Sequence, residues 1–408
     1  MFDAKLRVSA LVRFVCLSVF CLSLTHTPLA SAQSYSVLYT FAGGTDGSSP
    51  NGHLIQDSAG NLYGTTTFGG SSGQGTIFKI DPAGTETVLY TFTGGADGAQ
   101  PSAGLFRDPA GNLYGPTTSG GASGRGTLFK LDTTNTLTTL HSFEGGSDGW
   151  APESRLISFN GQLYGTTRLG GGTGCGNSLG CGIIFRASYS GNLKVLYRFT
   201  GADDGSNPQA LVSDSAGNLY GAAQFPTNGS GTIFKLSTSG TLSVLFTFSN
   251  LDEGYGPTGP LLRDTNGNFH GVTNSGGAGI ECPNRCGVVF RVDSSGNETV
   301  HRFYGHMHGG TPNGGLLDLS GALIGVTEFY GDLSCTNTFL TPGCGVLYEI
   351  GNTGQYTVLH AFAGGQDGSL PSGEPILGSD GSIYGVTLNG GLATACTDGC
   401  GTIFKYTP

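Results

Sequence analysis

Short runs of alternating apolar and polar residues fill most of the chain, and four such runs recur in a fixed order. The first is an apolar run that ends in Phe, such as VLYTF at 37–41, and the second follows a Pro, such as HLIQD at 53–57. The third is NLYGTT at 61–66 and the fourth is GTIFKID at 75–81. Their length and their β-branched and aromatic content are typical of strands. Seven copies of each run predict seven units of four strands.

The links between these runs carry turn residues. DSAGN at 57–61 joins the second run to the third, and DPAG at 81–84 joins the fourth run to the next copy of the first. Asp, Gly and Asn favour the positive φ angles of tight hairpins, so each unit of about 50 residues is predicted to be an antiparallel meander. Such a sheet cannot bury both faces alone, and seven of them can close into a ring. A solenoid is the alternative fold, but it would need capping units.

The two ends of the repeat region complement each other. YSVLYTF at 35–41 is a first run without its unit, and GTIFKYTP at 401–408 ends a unit that lacks its outer strand. Pairing them would complete one blade and remove an open sheet edge. The sequence therefore predicts an all-β, seven-bladed β-propeller as a single domain over residues 33–408, closed by its N-terminal strand.

Residues 1–32 have the layout of a secretory signal peptide. An apolar run over 14–24 follows the basic residues Lys5, Arg7 and Arg13, and the small residues 30–32 come after it. This pattern predicts cleavage near residue 33 and a secreted protein, extracellular or periplasmic. No later stretch approaches the roughly 20 apolar residues of a membrane span, so we expect none.

The charge of the chain narrows the choice of partners. Without residues 1–32 it has 15 Lys and Arg against 27 Asp and Glu, a net charge of −12 with His neutral. Nucleic-acid binding needs a basic surface, so nucleic acid is not an expected partner. We expect a monomer that meets an extracellular polysaccharide or a surface protein.

Eight cysteines of residues 33–408 form four pairs, each inside one long loop. In an exported protein such pairs predict four local disulfides, each contributing roughly 2–3 kcal/mol on the chain-entropy estimate. Zinc binding by paired thiolates is the alternative, but an oxidising compartment and the lack of Cys-x-x-Cys spacing disfavour it. The pairs are Cys175 and Cys181, Cys282 and Cys286, Cys335 and Cys344, and Cys396 and Cys400.

The phrases GNLYGTT, GGxxGxGTIFK and VLYTFxGGxDG resemble the GloVer-type tandem repeats of exported bacterial proteins. The resemblance covers essentially all of residues 35–408. It implies β-propeller-like repeats, but it does not imply an activity. Some relatives carry a surface-sorting tail after the repeats, whereas this sequence stops at Pro408, which implies free secretion.

Strand order predicts which loops share a face. With VLYTF outermost and HLIQD at the centre, the tight turns lie on one face and the long loops on the other, which we call the long-loop face. The long-loop face collects seven entry loops of the form GGxDGxxP and seven Gly-rich loops that precede GTIFK. Because these loops carry almost all the length variation, we expect function there.

One acidic position recurs in the entry loops and is predicted to cap the turn. Asp46, Asp97, Asp148, Asp204 and Asp367 occupy it, whereas Glu253 and His308 replace Asp in the fifth and sixth units. His306 lies two residues before His308, so this loop gained groups that titrate near neutral pH. We predict no cofactor and no metal site, although His306 and His308 could hold a divalent cation. A neutral turn variant is the alternative.

Other departures from the repeat on this face are the remaining candidates. A rim with Arg, carboxylates and aromatic rings suits a polysaccharide, because rings stack on sugar faces and charged groups bond hydroxyls. The predicted substrate contacts are His53, Trp150, Glu153, Arg155, Gln224, Glu253, Tyr255, Asn274 and Glu374.

Catalysis is left open by the sequence. His306 or His308 as base, with Tyr330 and Arg168, would suit a polysaccharide lyase. Glu328 with Glu253 or Glu374 would suit a glycoside hydrolase. If the protein binds or cleaves a polysaccharide, we expect these residues to converge on one pocket. If the protein is a protein-interaction or cell-surface scaffold, we expect a broad, shallow face. If it is a structural repeat protein, we expect neither a pocket nor such a face.

Overall fold

The computed structural model describes residues 33–172, 175, 179–226, 229–277, 282, 286–335, 342–393 and 395–408. The predicted signal peptide lies outside them. The described residues form thirty strands and two short 3-10 helices, at His306–His308 and Gly365–Asp367. Within them, no helix has the length and apolar character needed to cross a membrane.

The strands form seven antiparallel sheets, which are the blades of a seven-bladed β-propeller. Blade 1 comprises β2 (Ser48–Gln56), β3 (Leu62–Phe68), β4 (Thr76–Ile80) and β5 (Glu86–Thr91). Blade 2 comprises β6 (Phe106–Arg107), β7 (Leu113–Thr117), β8 (Thr127–Leu131) and β9 (Leu137–Ser142). Blade 3 comprises β10 (Ile157–Phe159), β11 (Gln162–Thr167), β12 (Ile183–Ser188) and β13 (Leu193–Arg198).

The remaining blades follow the same order. Blade 4 comprises β14 (Ser206–Pro208), β15 (Val212–Ser213), β16 (Leu219–Gln224), β17 (Gly231–Leu236) and β18 (Leu242–Phe248). Blade 5 comprises β19 (Tyr255–Arg263), β20 (Phe269–Ser275), β21 (Val288–Val292) and β22 (Glu298–Arg302). Blade 6 comprises β23 (Gly310–Pro312), β24 (Leu317–Leu319), β25 (Ala322–Phe329), β26 (Val346–Ile350) and β27 (Tyr356–Ala361). Blade 7 comprises β28 (Ser369–Leu377), β29 (Ile383–Asn389), β30 (Thr402–Thr407) and β1 (Ser34–Thr40).

The predicted closure is confirmed. Strand β1 pairs antiparallel with β30, from Ser34 opposite Thr407 to Thr40 opposite Thr402. The sheet order β28-β29-β30-β1 makes β1 the outermost strand of blade 7. The N-terminal strand therefore supplies the fourth strand that the last unit lacks.

The inner strands are irregular where they pass the centre of the ring. In blade 1 the pairing of β2 with β3 shifts register between Asn51 and Ile55. In blades 4 and 6 the inner strand is divided into two short strands, so these sheets have five strands. The irregular segments carry the residues that line the central channel.

A repeated pair of aromatic rings joins neighbouring blades. Phe41 at the end of the β1 run is fully buried and meets Phe78 of blade 1 edge to face, with ring centroids 5.1 Å apart. Phe92 and Phe129 make the same contact between blades 1 and 2, at 5.3 Å. Full burial of such a side chain contributes about 1.5–3 kcal/mol, so these pairs are a main source of cohesion between blades.

A backbone clasp also joins each blade to the one before it. The residue before the entry-loop Pro has positive φ in every blade, for example 52° at Ser49. The Ser49 N–H donates a hydrogen bond of 2.8 Å to the carbonyl of Cys400 in blade 7. The clasp therefore also spans the ring closure. The other clasps run from Gln100 to Gln74, Ala151 to Arg125, Asn207 to Cys181, Gly256 to Ser230, Thr311 to Cys286, and Leu370 to Cys344.

The four predicted disulfides are confirmed: Cys175–Cys181, Cys282–Cys286, Cys335–Cys344 and Cys396–Cys400. Each lies against the entry loop of the following blade. A Cβ atom added to Gly201 would be 2.6 Å from the Cys175 sulfur, and one added to Gly364 would be 2.6 Å from the Cys335 sulfur. The cysteine-bearing loops and the entry loops thus share one face, as predicted.

The recurring entry-loop acid is confirmed as a turn cap. Asp46 accepts hydrogen bonds from the Ala42 N–H at 2.7 Å and from the Tyr39 hydroxyl at 3.1 Å. Asp148 and Asp367 accept from His141 and His360 instead, because these histidines take the position of Tyr39 in their own outer strands. The acid therefore ties the loop to the outer strand that precedes it.

A second set of aspartates holds the tight turns of the opposite face. Burial alone would raise the pKa of Asp57, but hydrogen bonds from Asn61, Tyr63 and the Ala59 N–H outweigh it and lower the pKa. The pKa is lowered in the same way at Asp108, Asp214, Asp264 and Asp380.

These groups predict that stability is greatest near pH 5. The aspartates with lowered pKa stabilise the fold above about pH 4, and this contribution is lost as the pH falls. Burial, with Asp46 nearby, raises the pKa of Glu86 to about 7, and burial, with Glu253 nearby, raises that of Glu298 to about 7. Their contribution has the opposite sign and is lost as the pH rises from about 4 to 7.

Urea unfolding midpoints at pH 3, 5 and 7.5 test this prediction, with the highest midpoint expected at pH 5. A Glu86→Gln/Glu298→Gln variant should flatten the decline from pH 5 to 7.5 and leave the decline below pH 4 unchanged. A midpoint that rises steadily from pH 3 to 7.5 would contradict it.

Candidate functional site

The inner strands of all seven blades meet at a narrow central channel, as the strand order predicted. A Cβ atom added to Gly52 of blade 1 would lie 2.7 Å from the backbone nitrogen of Gly104 in blade 2. Small residues are needed at such positions because larger side chains would hold the backbones apart. The mouth of the channel is a cavity of about 430 Å³, within the usual size of ligand pockets.

A ring of polar side chains lines this cavity. The residue after the entry-loop Pro is polar in every blade and contributes a hydroxyl, an amide or a carboxyl group. Neighbouring members bond to each other: the Ser372 hydroxyl donates to Asn51 Oδ1 at 3.1 Å. The seven residues of the ring are Asn51, Ser102, Glu153, Gln209, Thr258, Asn313 and Ser372.

Three charged or titratable side chains from different blades meet inside the ring. Arg155 Nη1 of blade 3 is 2.9 Å from Glu374 Oε2 of blade 7, and His53 Nδ1 of blade 1 is 3.7 Å from the same oxygen. The three side chains are 16–22% exposed. Gly104 leaves room for His53, since a Cβ atom there would lie 2.7 Å from the His53 Cβ.

The electrostatics of this group follow from its burial. Burial, reinforced by Arg155, lowers the pKa of His53 to about 3, although the backbone of Glu374 opposes the shift. His53 is therefore neutral at pH 7. Burial also raises the pKa of Glu374, against the effect of Arg155. The channel thus holds one ion pair and one neutral imidazole.

Several polar atoms in the channel are buried without a protein partner. His53 Nδ1, Arg155 Nε and Thr258 Oγ1 have no hydrogen-bond partner among the described residues. Buried polar atoms are nearly always paired, and leaving one unpaired costs about 1–3 kcal/mol. These atoms line the cavity, so a polar ligand or solvent there would complete their hydrogen bonding.

A second ion pair lies at the rim of the cavity. Arg168 Nη1 is 3.4 Å from Glu153 Oε1, and the two side chains are 52% and 39% exposed. Burial raises the pKa of Glu153, while Arg168 opposes the shift. Gln224 also lines the cavity and accepts a hydrogen bond of 2.6 Å from the Asn207 side chain. Asn274 lies beyond it, with its Oδ1 3.2 Å from a Cβ atom added to Gly256.

Two exposed aromatic rings stand beside this rim. Phe225, which follows Gln224, is 49% exposed and Tyr255 is 37% exposed, with ring centroids 5.9 Å apart. Sequence reasoning selected Tyr255 but missed Phe225. An available signal was that the segment QFPTN at 224–228 replaces the glycines found after the third run of most units.

Besides Tyr255 and Asn274, two further predicted substrate contacts, Trp150 and Glu253, are not among the residues that line the cavity. Arg125 stacks over the Trp150 ring, with its guanidinium carbon 4.6 Å from the centroid. Glu253 accepts a hydrogen bond of 2.6 Å from the Ser249 N–H, so it acts as the turn acid of blade 5. Their roles in substrate binding stay predictions.

The structure does not bring the blade 6 candidates together with Arg168. His306 and His308 are exposed in a 3-10 helix, and none of the residues that line the cavity comes from this helix. Tyr330 packs over that entry loop, since a Cβ atom on Gly305 would lie 3.2 Å from its ring. Glu328 is half-buried, and burial raises its pKa. The catalytic roles of these residues stay predictions.

The cation considered for His306 and His308 also stays a prediction. Among the described residues, no group of three or more His, Cys, Asp and Glu side chains is arranged to hold a metal ion. Any site in blade 6 would therefore need a ligand of another kind.

Solved structures with the same architecture have distant sequences. A protein described as the extracellular domain of a hybrid two-component system from B. thetaiotaomicron matches with a TM-score of 0.56 and 12% identity, over 93% of this chain and 41% of that one. Another such domain from the same organism matches with a TM-score of 0.53 and 11% identity, over 92% and 42%. A gluconolactonase from Xanthomonas campestris matches with a TM-score of 0.46 and 12% identity, over 92% and 89%.

At these identities the likeness to the two extracellular domains shows the fold alone. The chain spans about two fifths of the length of the two extracellular domains. No curated protein matches the sequence.

A family model decides the relationship that the repeated phrases indicated. The model described as the Gloeobacter/Verrucomicrobia repeat matches residues 27–179 and 173–339, which is more than half of the chain. The chain therefore belongs to the Gloeobacter/Verrucomicrobia repeat family.

Proposed function

We propose that this protein is a secreted propeller that binds an extracellular polysaccharide at the mouth of its central channel. The observation that carries the proposal is the cavity of about 430 Å³ with its sevenfold ring of polar side chains. Sugars present many hydroxyl groups, each of which both donates and accepts hydrogen bonds. Such a ligand can satisfy the unpaired atoms of His53, Arg155 and Thr258.

The rim supports a chain that continues beyond the cavity. A cavity of about 430 Å³ would hold one end or a short stretch of a glycan. Phe225 and Tyr255 offer ring faces for sugar stacking next to the polar groups of Gln224 and Arg168. Aromatic faces beside hydrogen-bonding groups suit the mixed polar and apolar surface of a sugar ring.

Export is part of the proposal. The predicted signal peptide and the four disulfides both fit an oxidising compartment outside the cytoplasm. A polysaccharide is the abundant polar polymer that such a protein would meet.

Cleavage would extend this function. It would need a carboxyl group in contact with the bound chain, and Glu153 and Glu374 are cavity residues whose pKa is raised by burial. The lyase and hydrolase residues proposed from sequence are tested in the same experiment.

A non-catalytic protein-interaction scaffold is the second candidate. Leu251, Phe225 and Tyr255 are exposed apolar side chains of blades 4 and 5, and exposed apolar groups are common where proteins dock. A protein partner would cover this surface broadly and leave the deep polar atoms of the channel unpaired.

Calorimetric titration of the protein with neutral, amino and uronate oligosaccharides tests the proposal. Arg168→Ala should weaken binding at least about tenfold, because a charged hydrogen bond contributes about 1.5–3 kcal/mol. Phe225→Ala should weaken it through lost stacking. The matched control is Arg186→Ala in the same blade, since Arg186 lines a separate depression beside the tight turns and should leave affinity unchanged.

New reducing or unsaturated ends are measured in parallel, with His308→Ala and Glu328→Ala variants. If these ends appear and both variants release them at the wild-type rate, His308 and Glu328 are not catalytic. If no glycan binds, or if Arg168→Ala and Arg186→Ala bind alike, the proposed site is wrong.

A further inference from the structure

The junction between the outer strands of blades 5 and 6 differs chemically from the other junctions. At five other junctions a carboxylate accepts a hydrogen bond from a ring on the outer strand, as Asp204 does from Tyr197 at 3.0 Å and Asp367 from His360 at 2.9 Å. Between blades 4 and 5 a phenylalanine and a glutamate take these two positions, so the carboxylate is kept there as well. Between blades 5 and 6 His301 takes the position of the ring and His308 that of the acid. The usual donor and acceptor are thus replaced by two imidazoles.

One tyrosine holds both imidazoles in place. The Tyr356 ring stacks on His301 with centroids 4.9 Å apart and an angle of 12° between planes. The same ring meets His308 edge to face at 5.8 Å. Its hydroxyl donates a hydrogen bond of 2.5 Å to the His308 carbonyl. The two imidazoles are therefore fixed on one phenol ring.

The residue next to His308 is also unusual. Met307 is the only methionine of the chain besides Met1, and its side chain is 74% exposed. Methionine ordinarily fills gaps in a buried core. An exposed thioether with histidine on both sides in a 3-10 turn has no packing role to explain it.

We propose that His301, Met307 and His308 form a binding site for monovalent copper. A thioether is a soft ligand that selects Cu(I), and imidazole binds copper as well as zinc, whereas Mg²⁺, Ca²⁺ and Mn²⁺ prefer carboxylate and carbonyl oxygens. Successive side chains of a 3-10 turn point about 120° apart. The three rotatable bonds of Met307 let its sulfur reach the His308 side of the turn. The exposure of this turn gives the ion direct access from solvent.

This inference is independent of the proposed glycan site, because none of the three residues lines the central cavity. A ligand set with a thioether should bind Cu(I) more tightly than Zn(II). Comparing these two ions is therefore more specific than screening for metal binding in general. The two histidine substitutions below use residues found at the same positions in other blades, and Met307 is exposed, so the fold should accept all three changes.

The experiment titrates the full protein anaerobically with Cu(I) against a chromophoric Cu(I) chelator, with ascorbate and no thiol so that the disulfides stay intact. We expect one equivalent of Cu(I) to bind. His301→Phe, His308→Asp and Met307→Leu should each weaken binding at least about tenfold, a loss typical even of changes behind the ligands. Met307→Leu should not alter Zn(II) binding, and X-ray absorption of the copper-loaded protein should show a sulfur neighbour.

His360→Tyr is the matched control, because His360 occupies the position of His301 in the next blade but pairs with Asp367. It should leave Cu(I) affinity unchanged. The inference is overturned if no Cu(I) binds, if His308→Asp and His360→Tyr behave alike, or if Met307→Leu weakens Zn(II) as much as Cu(I).

Discussion

A Phe41→Ala variant is expected to lose about 3–5 kcal/mol of unfolding free energy, the range found for Phe-to-Ala changes in protein cores. Phe41 is fully buried, its ring meets Phe78 at 5.1 Å, and its N–H donates a hydrogen bond of 3.0 Å to the Gly401 carbonyl. These contacts join the N-terminal strand to blades 1 and 7. The unfolding free energy lost should therefore equal the loss caused by the same Phe-to-Ala change at any other interface between blades.

Phe92→Ala provides the matched comparison, because Phe92 makes the same ring contact with Phe129 between two blades that are continuous in sequence. Chemical denaturation of both variants should give similar losses. If Phe92→Ala costs several kcal/mol and Phe41→Ala costs less than about 1 kcal/mol, the ring does not depend on its closure.

Removing residues 33–41 should have a further consequence. Strand β30 would become an open edge, and open edges pair with other chains. Light scattering of the truncated protein should show association, and a peptide of the deleted sequence QSYSVLYTF should reverse it.

The fold could be predicted from sequence because each local signal agrees with the global one. The turn at Asp57 needs Asp, Gly and Asn at fixed spacing, and the structure shows the hydrogen bonds that these residues supply. The order of the four strand runs predicted the order of strands in each sheet. The unmatched runs at the two ends of the repeat region predicted the pairing that closes the ring. The cysteine pairs followed from their positions within single loops.

The composition of the candidate site could be predicted only in part. Aligning the repeats shows which face a residue lies on, but it does not show how far the residue is from the axis. The entry loop starts at an outer strand and ends at an inner one. His308, early in the loop, is therefore peripheral, whereas Glu153, just after the Pro, lines the cavity. Unpaired atoms such as Thr258 Oγ1 depend on neighbouring blades, which a linear pattern does not reveal.

Glu374→Ala is expected to destabilise the protein by about 2–4 kcal/mol. Breaking a buried ion pair by removing one partner costs about 3–5 kcal/mol, because the other charge is left unpaired. The expected loss is smaller here because the side chains of Glu374 and Arg155 are still 16% and 22% exposed to solvent. Glu153→Ala is the matched control, since its pair with Arg168 is exposed and should contribute no more than about 1 kcal/mol.

Replacing both charges separates stability from function. An Arg155→Met/Glu374→Leu variant should be within about 1 kcal/mol of the wild type or more stable, because apolar residues of similar volume often substitute for a buried ion pair at no cost. The same variant should weaken glycan binding, since the cavity would lack the charged hydrogen-bonding groups of Arg155 and Glu374. Urea unfolding and calorimetric titration on one preparation measure both effects. If the double variant is as unstable as Glu374→Ala, packing matters more than charge; if it binds glycan like the wild type, the ion pair is not part of the site.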